Sequence, residues 1–219
     1  MKKVTIDPQL KAQIPSYSLA VISFEIEHVG PDEELQAEMV ELEKETRLAY
    51  TLETLLKEPR IAAGRAAYKT LGKDPSRYRL ATEALLRRLI KGNGLYTVNN
   101  IVDIGNILSV RTRRSIAVLD EDAIQGDILI RLGKNEPYEG IGRGAINIEN
   151  LPVYTDELGS FGTPTSDAPR TRITVETKQV LLFITSFEGE EELHEDVRLT
   201  IDYYTRYANA CNFYFETTD

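Results

Sequence analysis

One cysteine, no tryptophan, two methionines and two histidines are all that 219 residues contain of these types. A lone Cys211 excludes an internal disulfide and a cysteine-rich zinc site. His28 and His194 stand in acidic surroundings without metal-ligand spacing, so neither metal nor cofactor is expected. A Ser-His-Asp or Cys-His triad finds no support either, and no catalytic residue is assigned. No apolar run approaches the roughly 20 residues of a membrane span. Asp7, Pro8 and Gln9 interrupt any signal-peptide core behind Lys2 and Lys3. These absences predict a cytoplasmic protein with no membrane partner. Cys211 itself reads as a small buried apolar residue.

Positive charge is also scarce: 26 Lys and Arg stand against 35 Asp and Glu, a net charge of −9. That balance opposes general affinity for nucleic acid, and DNA is not expected as a partner. The charge is uneven, however. Between Asp32 and Glu58 the chain is strongly acidic, and EGEEELHED at 188–196 is acidic again. Between Arg60 and Lys91, nine basic residues face only Asp74 and Glu83. Such runs are commonly solvated helix faces. The alternative is a local patch for phosphates, in which Arg77, Arg79, Arg87, Arg88 and Lys91 make salt-dependent contacts. Tyr78 and Tyr96 are isolated candidates for stacking or for packing.

The hydrophobic pattern predicts helices early and strands late. Residues 17–27 read as a strand rich in β-branched and aromatic side chains. A helix over 32–58 carries Leu35, Met39, Leu42, Leu48 and Leu52, with a break near Arg47. A second helix, 60–72, stops at Gly72, and a third, 76–94, stops at Gly92. From Ser115 the chain turns to short β-rich runs at 115–120, 126–133, 144–149, 151–157, 170–177 and 179–187. A final helix covers 190–210 and a final strand 212–216. The expected class is α+β, helices packed on a mostly antiparallel or mixed β layer, in one domain over residues 1–219.

Two segments stand out. In TVNNIVDIGNILSV (97–110), Asn99, Asp103 and Asn106 share a face if the segment is helical, while Ile101, Ile104 and Leu108 form an apolar face. A solvated face would normally use Lys, Glu or Gln. Asn99, Asn100, Asp103 and Asn106, with Gly105 allowing close approach, therefore either cap the element or line a polar pocket. The second segment, TPTSDAPRT, gathers Thr163, Thr165, Ser166, Asp167 and Arg170 between prolines. It reads as a rigid turn or as a preorganised site, with Arg170 free to grip a carboxylate or phosphate. GIGRGA (140–145) matches a dinucleotide pattern but offers no following helix, so a glycine-rich turn between strands is expected.

The run YKTLGKDPSRYRLATEALLRRLIKG, then VNNIVDIGN, then AVLDEDAIQGDILIR resembles the editing (B three/B four) domain of the phenylalanyl-tRNA synthetase beta subunit. The resemblance covers roughly residues 60–187, and the chain is similar to free-standing members of that family. It rests on Asn100, Val102, Asp103 and Asn106, followed in order by Leu119, Asp120 and the 126–131 segment. In the synthetase, this domain hydrolyses tyrosine wrongly attached to the phenylalanine tRNA. Here Asn106 matches the family's site asparagine and Asp120 is preserved. Gly105 stands in place of a threonine, Ala117 of a histidine and Ser115 of a proline. The resemblance implies a binding domain for aminoacyl-tRNA, a tRNA end or an amino-acid-like ligand in translation quality control. A trans-acting hydrolase of mischarged aminoacyl-tRNA is the alternative. A protein-interaction domain using the acidic helices is a third.

Overall fold

The computed structural model describes residues 2–27 and 30–218; His28 lies outside them. In chain order the elements are β1 (Val4–Ile6), α1 (Pro8–Gln13), β2 (Ser18–Glu25), α2 (Glu33–Ala49), α3 (Pro59–Thr70), α4 (Ala81–Ile90), α5 (Asn100–Thr112), β3 (Ser115–Asp120), β4 (Ile128–Leu132), β5 (Glu139–Gly140), β6 (Gly144–Ala145), β7 (Pro152–Asp156), β8 (Gly159–Gly162), β9 (Gln179–Ser186), α6 (Leu193–Ala208) and β10 (Cys211–Thr218). The class is α+β, with one antiparallel sheet, one mixed sheet and a short hairpin.

The antiparallel sheet runs β10-β2-β9-β3 and is the centre of the molecule. Strands β2 and β9 are apolar almost without alternation because both of their faces are covered. Leu19, Val21, Ala117, Leu119, Leu181 and Phe183 point to one core. Ala20, Ile22, Phe24, Val180, Leu182 and Ile184 point to the other. The first core is closed by the mixed sheet β1-β4-β7-β8, through Ile128, Ile130, Val153, Tyr154 and Phe161, and by Tyr68 of α3. The second is closed by α2, α4, α5 and α6, through Leu35, Leu86, Ile104 and Val197. The central sheet thus separates two interiors, a geometry that decides which candidate residues can meet.

Helix α5 is buried nearly all round, with ten of its thirteen residues inside. The expected outward stripe is corrected here: Asn100 and Asp103 lie inside, and Asp103 accepts a hydrogen bond from the Val98 amide at 2.9 Å. Asn99 is the N-cap, its side chain accepting from the Val102 amide at 3.0 Å, which satisfies a helix donor that would otherwise be orphaned. Gly105 lets α5 sit on β3, since a Cβ there would fall 2.4 Å from Val118 Cγ2. Gly105→Ala should cost roughly 1–3 kcal/mol, as other overpacked cores do, read as a lowered midpoint of chemical unfolding.

The helix over 32–58 breaks near Arg47 as expected, ending at Ala49, with a short 3-10 turn at Thr54–Lys57 beyond it. Three further expectations are corrected. The run 170–177 is not a strand: it begins in a 3-10 turn, Pro169–Thr171, and Thr177 closes a turn on Thr174 while its hydroxyl donates to Asp120 at 2.7 Å. The run 144–149 pairs only at Gly144–Ala145, where it forms the hairpin with β5. Cys211 is exposed, because β10 lies at the edge of the central sheet.

Candidate functional site

The loop after β8 is built by its own hydroxyls. Thr163 Oγ1 accepts from the amides of Thr165 and Ser166, both at 3.0 Å, while the Ala168 amide donates to the Phe161 carbonyl at 2.8 Å. Neighbouring elements hold the loop from outside. The Tyr138 hydroxyl donates to the Ser166 carbonyl at 2.6 Å, the Ile141 amide donates to the Asp167 carbonyl, and the Ala81 amide donates to the Pro164 carbonyl. Thr165 meets the buried Tyr68 hydroxyl at 2.9 Å. Each of these bonds fixes backbone in a loop whose chain freedom two prolines already restrict.

Arg170 does not face outward. Its Nη2 and Nη1 grip the two oxygens of Asp156 at 2.6 and 3.1 Å, and further bonds go to the carbonyls of Ala123 and Gly159. That arrangement commits the cation nearest in sequence away from Asp167. Asp167 Oδ1 is closed off from solvent and has no hydrogen-bond partner among the described residues. Burial alone raises its carboxyl to about 8. Asp167 is only partly buried as a whole residue, but its acceptor oxygen is enclosed, and the oxygen's surroundings govern the titration.

Around it lies a set of tyrosine hydroxyls inside the first core. Tyr154 donates to or accepts from Thr185 at 2.7 Å, and Tyr17, fully buried, has a hydroxyl with no partner at bonding distance. Asp167 is within electrostatic range of Tyr138 and Tyr154, Tyr154 of Tyr17 and Tyr68, and Tyr68 of Arg143. Gly162 separates Tyr154 from Asp167: a Cβ there would meet the Tyr154 ring at 2.5 Å and Asp167 Oδ1 at 3.0 Å. Beside Thr185, a cavity of about 10 Å³ lined by Ser115, Thr82 and Phe187 has room for about one water. Ser115 Oγ, which lines it, is another buried atom without a partner.

Outside this interior the surface is basic. Glu83 is fully buried and gathers three arginines: Arg65 Nη1 reaches both carboxylate oxygens at 3.0 Å, Arg79 Nε lies at 3.5 Å and Arg87 Nη1 at 3.7 Å. Arg88 stacks 3.8 Å from the centroid of Tyr96, itself 57% exposed, and donates to the Gly94 carbonyl. Arg77 and Lys91 are exposed. Arg143, on the turn between β5 and β6, is exposed as a residue and its side chain has no bonded acceptor among the described residues; desolvation by the surrounding chain and repulsion from Arg79 lower its pKa. Arg143 and Tyr96 are the residues of this rim that sequence alone does not connect. Only the fold brings the 140–145 turn beside the loops flanking α4.

The two sequence-selected segments are not brought together. Asn99 caps α5 and residues 100–106 lie in it, on the second core, while Ala168 of the 163–170 loop and Ala117 lie in the first. Asn100 accepts from the Gly30 amide at 3.0 Å and donates to the Tyr207 carbonyl at 3.1 Å. Asn106 is partly exposed and makes no side-chain bond among the described residues. Burial raises the Asp103 carboxyl, opposed by backbone bonds from Val98 and Asn99. No cluster of described residues has the composition of a metal site.

The chain belongs to the B3/4 domain family, whose model matches residues 63–208. In structure it is similar to an N-terminal fragment of the phenylalanyl-tRNA synthetase beta subunit from Pyrococcus horikoshii, at 14% identity and a TM-score of 0.48. The similarity covers 99% of this chain and 50% of that one, so the chain spans about half the length of the fragment. No curated protein matches the chain. No described helix is long and apolar enough to cross a membrane.

Proposed function

We propose that this chain binds the aminoacylated end of a tRNA in the cytoplasm, its phosphates on the basic rim and its aminoacyl group against the loop Thr163–Asp167. The observation that carries this reading is the stack of Arg88 on the exposed Tyr96 ring, 3.8 Å from its centroid, on a rim where Arg77, Lys91 and Arg143 face solvent. An anion relieves the repulsion that Arg143 feels from Arg79, and phosphate is the anion that stacked Arg and Tyr side chains accompany in single-stranded RNA recognition. The net charge of −9 confines such binding to this patch. The family, and the resemblance of the 60–187 segment to a synthetase editing domain, point to the same ligand.

Fluorescence anisotropy with an end-labelled tRNA tests it. Binding should weaken steeply with salt. Arg143→Ala and Arg88→Ala should each lower affinity and make the slope of log K against log salt shallower, by about one for every phosphate that is no longer neutralised. Salt-independent binding, or variants indistinguishable from the parent, would overturn the reading. Hydrolysis is the second reading, favoured by a carboxyl that titrates near neutrality at Asp167. Deacylation of mischarged tRNA above its spontaneous rate, lost in Asp167→Asn, would establish it.

A further inference from the structure

A second cavity lies on the far side of the central sheet from the hydroxyl loop. It holds about 130 Å³ between the end of α2, the middle of α4 and the end of α5, enough for several waters. Its floor is apolar: Leu42, Leu86 and Val110, none more than 3% exposed, belong to the second core. Two polar side chains on its wall are only partly used. Thr46 is buried, 4% exposed, and its hydroxyl has no hydrogen-bond partner among the described residues. A serine or threonine inside a helix can give that proton to the carbonyl four residues back, as Ser109, Thr112 and Thr200 do, but Thr46 does not. Arg113, the C-cap of α5, has left-handed backbone with φ 56°, a conformation that glycine adopts most readily. Its Nη1 donates to the Arg111 carbonyl, which leaves the rest of the guanidinium without a bond and without a carboxylate among the described residues. A long side chain kept in that conformation points to a use for it. The other charges on the wall already answer one another: Arg111 holds Glu38 at 2.9 and 3.1 Å and reaches Glu45 at 3.5 Å.

We infer that this cavity binds a short-chain aliphatic carboxylate, its charged end on Arg113 and the Thr46 hydroxyl and its chain on Leu42, Leu86 and Val110. A planar guanidinium matches a carboxylate in both shape and charge, and the apolar floor takes the chain out of water. A compact inorganic anion would satisfy Arg113 and leave the floor wet. A neutral alcohol would cover the floor and leave Arg113 unanswered. No residue of the basic rim or of the Thr163–Asp167 loop lines this cavity, so the site is independent of the proposed function.

Titration of the isotope-labelled protein, followed by its amide NMR signals, tests this with butyrate and hexanoate as probes. Hexanol, hexylamine and inorganic phosphate are the controls. Both carboxylates should shift the amides of residues 46–50 and 110–113 saturably. Hexanoate should bind more tightly than butyrate, and at least about tenfold more tightly than any control. Arg113→Gly suits the left-handed backbone and so keeps the fold, and it should remove the preference for hexanoate over hexanol. Thr46→Val, which keeps the side chain's shape, should weaken hexanoate several-fold. The absence of saturable shifts at these residues, or a control that binds as tightly as hexanoate, overturns the inference on the parent protein alone. Either variant binding hexanoate as the parent does overturns it as well.

Discussion

Glu83→Ala should destabilise the fold by about 3–5 kcal/mol, the penalty for stripping the partner from buried charge. The carboxylate is fully buried on α4 and stands between Arg65 of α3, Arg79 of the preceding loop and Arg87 one turn along its own helix. Its removal leaves three guanidinium groups facing one another with no anion between them. Arg79 suffers most, since its Nε already sits inaccessible to water and lacks good hydrogen-bond geometry. A midpoint drop of roughly 6–20 °C by circular dichroism corresponds to that penalty for a chain of this size. Glu83→Gln should fall between the two, because its amide can still accept from Arg65 but carries no charge. A drop below about 3 °C in Glu83→Ala would mean that the arginines reach solvent without cost, contrary to the burial of this carboxylate between them.

The second large effect is a dependence of stability on pH traced to Asp167. Its carboxyl ordinarily ionises near 3.8 and in the folded chain near 8. Between those values the folded state holds a proton that the unfolded state has released. Stability must therefore fall as pH rises from about 4 to about 8, and level off above. Allowing for the residue's partial exposure, the decrease across the window is on the order of 3 kcal/mol. Urea unfolding at about pH 5 and about pH 8.5 measures it. Asp167→Asn should flatten this component of the slope and gain stability at the higher pH relative to the parent. An unchanged slope in the variant would assign the dependence elsewhere.

Much of the architecture is legible from residues alone. The α+β class follows from helical spacing before Ser115 and β-branched runs after it, and the 140–145 turn follows from glycines with no helix to serve. The misread elements share a cause: local pattern does not reveal which side of a sheet an element covers. Helix α5 resembles an amphipathic helix because Asn and Asp alternate with Ile. Those polar groups instead cap it and anchor its N-terminal end to Val98 and Gly30, which lets a helix with polar residues be buried on all sides. Residues 172–177 have strand composition, but the hydroxyl of Thr177 bonds Asp120 and Thr174, and such local bonds compete with pairing. At the site, Thr165 and Asp167 are visible as candidates. Tyr17, Tyr68, Tyr154 and Arg143 are not, because nothing in a sequence of isolated tyrosines marks the ones that converge across 137 residues from Tyr17 to Tyr154.

The pairing of β2 with β9 has a consequence for how the protein is made. Glu25 lies opposite Gln179 and Ser18 opposite Ser186, so β2 finds β9 only after the long intervening segment has been synthesised. At about 5–20 residues per second, the ribosome takes roughly 8–30 s to add the intervening residues. Through that interval the segment SLAVISF has apolar side chains on both faces and neither core to enter. Helices such as α2 and α4 can form meanwhile from local contacts, but the central sheet cannot be completed. The nascent chain thus carries a sticky, unpaired strand through this interval, and its yield in the cell should depend on holdase chaperones more than its final stability would suggest.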